Sequence, residues 1–376
     1  MQYNEFGKTG IKMSALGFGA MRLPMTGEGE SRRVNDELAL PMMQKAFEMG
    51  VNYIDTAPYY CDHLSEGAVS RALKAWKGHR VYVSTKNPVE NESADDFMKR
   101  LENSLKNLDV DAIDFYHLWG IRLKSFENWQ ALENGPLQAF RRAKEQGLIK
   151  HYSFSYHDSA SNFAKIIDSG LFESVLIQYN LLDRSNEENI KYAKENGLGT
   201  VVMGPVAGGR LGKPNDVIAG LLKEKPASTA ELAMRFVISN PNVDIALSGM
   251  SAMDMVLENA AVASRTDILS DDELQNIKKM MEENKRLAEL YCTSCNYCKP
   301  CPQDINIPHL FRLMNEYMVY GLKEHAKRAY SNALNEKGGN KSKSPEVCTE
   351  CGECETKCPQ KLPVIKQLKE THKTLG

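Results

Sequence analysis

Eight of the nine cysteines lie in two short runs near the C-terminus, and each run closes on Cys-Pro. The first is Cys292, Cys295, Cys298 and Cys301 before Pro302; the second is Cys348, Cys351, Cys354 and Cys358 before Pro359. Three thiolates on one tight loop can hold three corners of an iron–sulfur cubane, while the fourth cysteine, just beyond, turns toward a second cluster. The pattern predicts two 4Fe-4S clusters and one-electron chemistry. Paired CxxC knuckles also make zinc tetrahedra, but zinc usually takes two ligands from each of two separated knuckles, whereas each loop here concentrates four thiols and a proline. Disulfides are disfavoured. The opening MQYNEFGKTG has no apolar signal region, so a reducing cytoplasm is the expected location and the thiols stay available to metal.

The second run has the bacterial ferredoxin spacing CxxCxxCxxxCP, and the first is one residue shorter in its last gap. Sharing of the ferredoxin kind would join Cys292, Cys295 and Cys298 with Cys358, and Cys348, Cys351 and Cys354 with Cys301. The shortened gap leaves that exchange open. Between the runs, Leu310, Met314, Tyr317 and Gly321 recur at helical spacing within His309 to Leu334, which predicts a mainly helical ferredoxin-like module. Gly338 to Ser344, GGNKSKS, reads as a flexible link. Cys61 has no neighbouring cysteine and reads as a packed thiol.

A second group of reactive side chains sits at the ends of two apolar runs. NYIDTAPYY places Asp55 and Tyr60 five residues apart, and VYVSTK ends on Lys86. An acid would hold the lysine charged, and that cation would lower the tyrosine's pKa and ready its hydroxyl to donate a proton. Each residue alone is also what a rim salt bridge or a packed phenol uses.

Both groups need elements to carry them. A chain of 376 residues, 42% hydrophobic and 26% charged, can bury a large core plus a small module. A net charge of -2 gives no nucleic-acid footprint, and no stretch nears the roughly 18 apolar residues of a membrane span. Eight β-rich runs alternate with amphipathic helices before residue 290: Ala15 to Met21, Val51 to Ile54, Val81 to Thr85, Ile113 to His117, His151 to Ser155, Val175 to Gln178, Thr200 to Met203 and Asp244 to Leu247. Helices are expected over Ala94 to Leu108, capped by Ser93, over Asn186 to Glu195, closed by Gly197, and over Asp271 to Glu289. Eight such units fit a (β/α)8 TIM barrel over 1–285, with the ferredoxin-type module over 286–376. A doubly wound sheet competes, but LGFGAM lacks the setting of a Rossmann fingerprint. Met25 to Asp36 reads as a polar lid whose Arg32 and Arg33 are solvated or meet an anionic substrate.

From the opening YNEFGKTGIKMSALGFGAMRL to about residue 265 the chain resembles the aldo-keto reductases. The likeness rests on DTA…Y, Ser65 with Glu66, Lys86, LIQYN, PVAGGRL and GMS…EN in that family's order. With its C-terminal cysteine runs it resembles the branch that carries a ferredoxin-type tail. The resemblance implies hydride transfer between NAD(P)H and a small carbonyl or alcohol, with Tyr60 protonating the alkoxide and Asp55 and Lys86 tuning it. It also implies a histidine at the end of strand four. In DFYHLWG that place holds Trp119, and His117 comes two residues earlier, roughly 6–7 Å deeper on the same face. Either a bulge restores the reach of His117, or Trp119 takes the substrate-orienting place and His117 is a hydrogen-bonded barrel histidine.

For the nucleotide, the resemblance implies Ser155 and Gln178 at the carboxamide and Met203 against the nicotinamide. It places Gly204, Pro205, Val206 and Gly208 along the pyrophosphate, and Glu258 with Asn259 facing the adenine. Tyr156 stands where the family has an asparagine. The cations that meet a 2′-phosphate are replaced by Gly249 and Met255, with Ser251 nearby, so NADH fits as well as NADPH. The leading reading is thus an oxidoreductase barrel fused to two clusters, with a redox partner protein as a further expected counterpart.

Nicotinamide moves two electrons as hydride and a cluster moves one, and no flavin fingerprint bridges them. A second reading makes the barrel an electron-transfer or regulatory subunit without reductase activity. A third makes the cysteine runs zinc scaffolding, which visible absorption bleached by dithionite would rule out.

Overall fold

Strands that are apolar on both faces need helices outside them and a partner on every edge. The chain, described here from a computed structural model, meets that need by closing its sheet on itself. Residues 1–181, 183–212, 228–266, 269–283, 292, 294–318, 323–335 and 339–376 are described. Eight strands form the closed barrel: β1 Leu16–Gly19, β2 Tyr53–Asp55, β3 Tyr82–Asn87, β4 Ile113–Ile121, β5 Ile149–Tyr156, β6 Ser174–Gln178, β7 Gly199–Met203 and β8 Ile245–Gly249. Each pairs in parallel with the next, and β8 returns to β1 with Gly249 opposite Gly19. This is the TIM barrel, not the doubly wound sheet.

The N-terminal end of the barrel is plugged. A hairpin of Tyr3–Glu5 with Lys12–Ser14 presents Phe6 and Met13 to the inward side chains Tyr53, Phe115, Leu176, Val201, Ile245 and Leu247. The Phe6 ring meets Phe115 edge-on at 5.1 Å and has no exposed surface. Burying such a ring contributes about 2 kcal/mol. Only the C-terminal strand ends remain for chemistry.

Helix Ala94–Leu108 has the expected bounds, with Ser93 Oγ accepting the Asp96 N–H at 3.3 Å. Its buried Phe97, Leu101, Ser104 and Leu108 recur every three to four residues along one face. Helix Glu187–Glu195 ends before Gly197, whose φ of 82° lies in the left-handed region. The expected lid is an ordered hairpin, Met25–Thr26 pairing with Arg33–Val34. Its Arg32 is not simply solvated: Nε reaches Asp62 at 2.5 Å.

The chain divides into two compact units, Met1–Val206 with Ala230–Ser270, and Ala207–Thr229 with Asp271–Gly376. The expected boundary at 285/286 lies outside the described residues, as do Gly321, Gly338 and the end of the helix expected to Glu289; that helix is described over Asp271–Glu283. Further along, the second unit is helical, with Ile307–Met318, Lys323–Leu334, Glu353–Lys357 and Val364–Leu375. Leu310 and Met314 are buried there, as their spacing implied. Among the described residues no helix is long and apolar enough to cross a membrane.

Candidate active site and cysteine-lined hollows

Alternation along β2 and β3 turns Tyr53, Asp55, Ser84 and Lys86 into the barrel. Lys86 Nζ lies 2.5 Å from Asp55 Oδ1 and donates to the Thr56 carbonyl at 2.8 Å, while Ser84 Oγ donates to Asp55 Oδ2 at 2.6 Å. Both members of the pair are almost wholly buried. Their desolvation costs several kcal/mol each, which only good geometry and further hydrogen bonds offset. Such a pair adds little to stability by itself, and it has an aromatic neighbour.

That neighbour is Tyr60. The lysine ammonium sits 4.7 Å from the centre of its ring, and Trp119 meets the ring edge-on at 5.8 Å. No group among the described residues holds the Tyr60 hydroxyl. The adjacent Tyr59 is turned outward and 39% exposed, its hydroxyl bound to Glu90 and accepting from Arg100 at 3.0 Å. One expectation is corrected. Burial first, then the Asp55 carboxylate, pushes the Tyr60 phenol well above its usual range, because the lysine's charge is already spent on Asp55.

The turn that carries Tyr60 is strained. Cys61, Asp62 and His63 follow with φ of 51°, 55° and 69°, all left-handed and none of them glycine. Each such residue costs about 1–2 kcal/mol, so other contacts must hold the turn. Ser65 Oγ donates to the Ala20 carbonyl at 2.8 Å, Cys61 Sγ lies 3.5 Å from the same oxygen, and Arg32 grips Asp62. Glu66, next to Ser65, is buried behind β3 and accepts from Thr85 at 2.7 Å and Asn107 at 3.0 Å.

His117 is fully buried, its Nε2 3.8 Å from Asp55 Oδ2, beyond hydrogen-bond reach. Burial and the Lys86 charge drive its pKa well below the usual range and keep it neutral. Its polar neighbour is the Phe154 backbone, which works against those two effects, while neither ring nitrogen meets a partner at full hydrogen-bond geometry. β4 does carry a bulge, but beyond His117, between Leu118 and Ile121. It leaves His117 low and sets half-buried Trp119 beside Tyr60. Gly120, with φ of 68°, allows the bulge, and its N–H donates to Ser155 Oγ at 2.8 Å.

Among the expected nucleotide residues, Ser155 faces inward but is fully buried under that bond. Tyr156 points the other way and packs on Phe163, so its departure from the family pattern lies outside the site. Gln178 ends β6 against Gly204; a Cβ there would stand 2.9 Å from Gln178 Oε1, and φ of 67° also requires glycine. Met203 ends β7 on the barrel core, Pro205 is buried, Val206 is half-buried, and Gly208 lies in the 3-10 helix Ala207–Gly212. Glu258 is half-buried, whereas Asn259, expected at the adenine, is buried and donates to Ser248 Oγ at 3.1 Å. A residue the sequence did not flag is His157. Its Cδ2 lies 3.8 Å from where a Cβ on Gly120 would stand, and burial with the Lys86 and Arg122 charges lowers it to about 4.

In the second unit the cysteines ring two hollows. One is lined by Cys348, Cys351, Cys354, Cys301 and Cys298. The other is lined by Cys292, Cys295, Cys298 and Cys358. Ile307, Ile365 and Leu368 wall the first, and Ile307, Phe311, Leu362 and Val364 the second. Among the described residues no three His, Cys, Asp or Glu side chains draw together to hold a single metal ion. The donor set, four or more thiols around an apolar hollow, fits an iron–sulfur cubane. Burial pushes Cys298 up to about 12 and Cys354 to about 11, a cost that metal binding must meet to take the thiolates.

The aldo/keto reductase family model matches residues 15–282, the whole barrel. The chain belongs to the aldo/keto reductase family. A 4Fe-4S dicluster domain model matches residues 291–363, all eight cysteines of the two runs included, so this reductase carries an iron–sulfur domain. The zinc scaffold is thereby set aside. L-galactose dehydrogenase from Arabidopsis thaliana is 26% identical over 76% of this reductase and 96% of its own length. Aldo-keto reductase AKR11C1 from Bacillus halodurans, in its holo form, superposes with a TM-score of 0.63 at 26% identity, over 74% of this chain and 96% of its own. An aldo-keto reductase from Klebsiella pneumoniae in complex with NADPH has the same fold, with a TM-score of 0.61 at 21% identity, over 75% of this chain and 96% of its own.

Proposed function

We propose that the barrel reduces a small carbonyl, or oxidises the matching alcohol, with a nicotinamide nucleotide, and that Tyr60 is the proton donor. The observation that carries this reading is the intact buried pair Lys86–Asp55 beneath a tyrosine whose hydroxyl is free. A barrel kept only as a platform would have no use for that pair. When bound, the nicotinamide supplies a hydride. Tyr60 gives its proton to the carbonyl oxygen, and the Lys86 ammonium, 4.7 Å from the centre of its ring, holds that ring in place. Trp119 closes one side of the pocket and excludes water from the phenol. His117, low and neutral, adds no second cation beside Asp55.

In the tail, we assign Cys292, Cys295, Cys298 and Cys358 to one 4Fe-4S cluster, and Cys348, Cys351, Cys354 and Cys301 to the other. The sharing of each hollow between both runs supports this. When bound, the clusters supply one-electron transfer, and a redox partner protein is their natural counterpart. Cys354 and Cys358 are buried while Cys351 is exposed, and such differences in solvent access tune the potential.

The pH profile tests the barrel assignment. Tyr60 is held protonated and His117 and His157 are held neutral, so none of these three changes charge near neutrality. Reduction with NADH is expected to show kcat/KM level from about pH 7 to about 9, falling only once the raised phenol ionises. A limb inside that range would contradict the assignment.

A further inference from the structure

The cations expected to meet a nucleotide phosphate are replaced by Gly249, which ends β8, and by Met255, in the helix Met253–Val262 that follows. Another element brings a cation to that place. Arg22 ends the 3-10 helix Ala20–Arg22 that follows β1, and β1 runs beside β8. A Cβ on Gly249 would stand 3.7 Å from Arg22 Cδ and 3.8 Å from its Cγ. The arginine stem therefore lies across the glycine, in space that a longer side chain at 249 would take.

The helix carrying Arg22 is fixed. Its Ala20 carbonyl accepts from Ser65 Oγ at 2.8 Å, and its Met21 carbonyl lies 3.6 Å from Cys61 Sγ. Those are the contacts that also hold the Tyr60 turn, so the cation and the phenol are registered to one another. Arg22 is exposed, and no carboxylate among the described residues pairs with it. An arginine without a partner, preplaced on a rigid element, offers a planar fork that matches phosphate oxygens.

We infer that Arg22 binds a phosphate of the nicotinamide nucleotide, in the role vacated at positions 249 and 255. This rests on the nucleotide reading above. The pyrophosphate bridge and a 2′-phosphate share the recognised chemistry, and the choice of nucleotide separates them.

The test titrates the full-length, cluster-loaded protein without oxygen with NADPH and with NADH, following nucleotide fluorescence in wild type, Arg22→Gln and Arg22→Lys. Arg22→Gln is expected to weaken NADPH by about 10-fold or more, and Arg22→Lys to recover part of the loss. An equal loss for NADH assigns the pyrophosphate; a loss confined to NADPH assigns the 2′-phosphate. Arg22→Gln with wild-type Kd for both nucleotides, while wild type binds, overturns the role of Arg22 alone. Wild type binding neither overturns the nucleotide reading itself.

Discussion

Tyr60→Phe is expected to lower carbonyl turnover by about 10²–10⁴-fold and to leave the nucleotide Kd within about twofold. Deleting one hydroxyl from a half-buried ring leaves the Trp119 and Lys86 contacts in place, so the loss falls on proton transfer and not on folding. Tyr59→Phe is the control. Its hydroxyl is tied to Glu90 and Arg100 on the outward side, so its removal should change turnover by less than about tenfold. Equal losses in the two variants, or none in Tyr60→Phe, would remove the proton-donor assignment.

Cluster ligation gives the second large effect. If each hollow holds one cluster, Cys358→Ser and Cys295→Ser remove the same cluster although the residues lie in different runs. Cys301→Ser and Cys351→Ser remove the other. Each variant should fall from about eight irons per chain to about four, and the spectrum of the reduced protein should lose the same signal within each pair. Cys298 lines both hollows and is the least diagnostic position. Loss of one signal by Cys295→Ser and Cys301→Ser together would mean that each run serves its own cluster.

The barrel was legible because its strands are short apolar runs at regular intervals, and all eight formed where the pattern placed them. Asp55 and Lys86 could be placed because each ends such a run and alternation aims it inward. What escaped depends on contacts distant in sequence. No local pattern marks three left-handed residues after Tyr60, since Cys61 is held there by Ala20 and Met21, and Asp62 by Arg32. The acidity of Tyr60 was misjudged for the same reason: spacing brings Lys86 close but does not reveal that Asp55 claims its charge. Arg22 was invisible as a partner of Gly249, because their meeting requires the sheet to close, β8 beside β1. His157 escaped because a bulge in β4 decides what stands next to it.

In the proposed function this barrel passes hydride from a nicotinamide to a carbonyl carbon while Tyr60 supplies the proton. The direct measurement uses NADPH and NADH deuterated at C4, the cluster-loaded protein and a panel of small aldehydes and ketones, and reads deuterium in the product alcohols by mass spectrometry. Deuterium bound to the former carbonyl carbon in wild type, and its near-absence with Tyr60→Phe, is the predicted result. Bound nucleotide that gives no labelled alcohol with any carbonyl, or equal labelling by Tyr60→Phe, would contradict it.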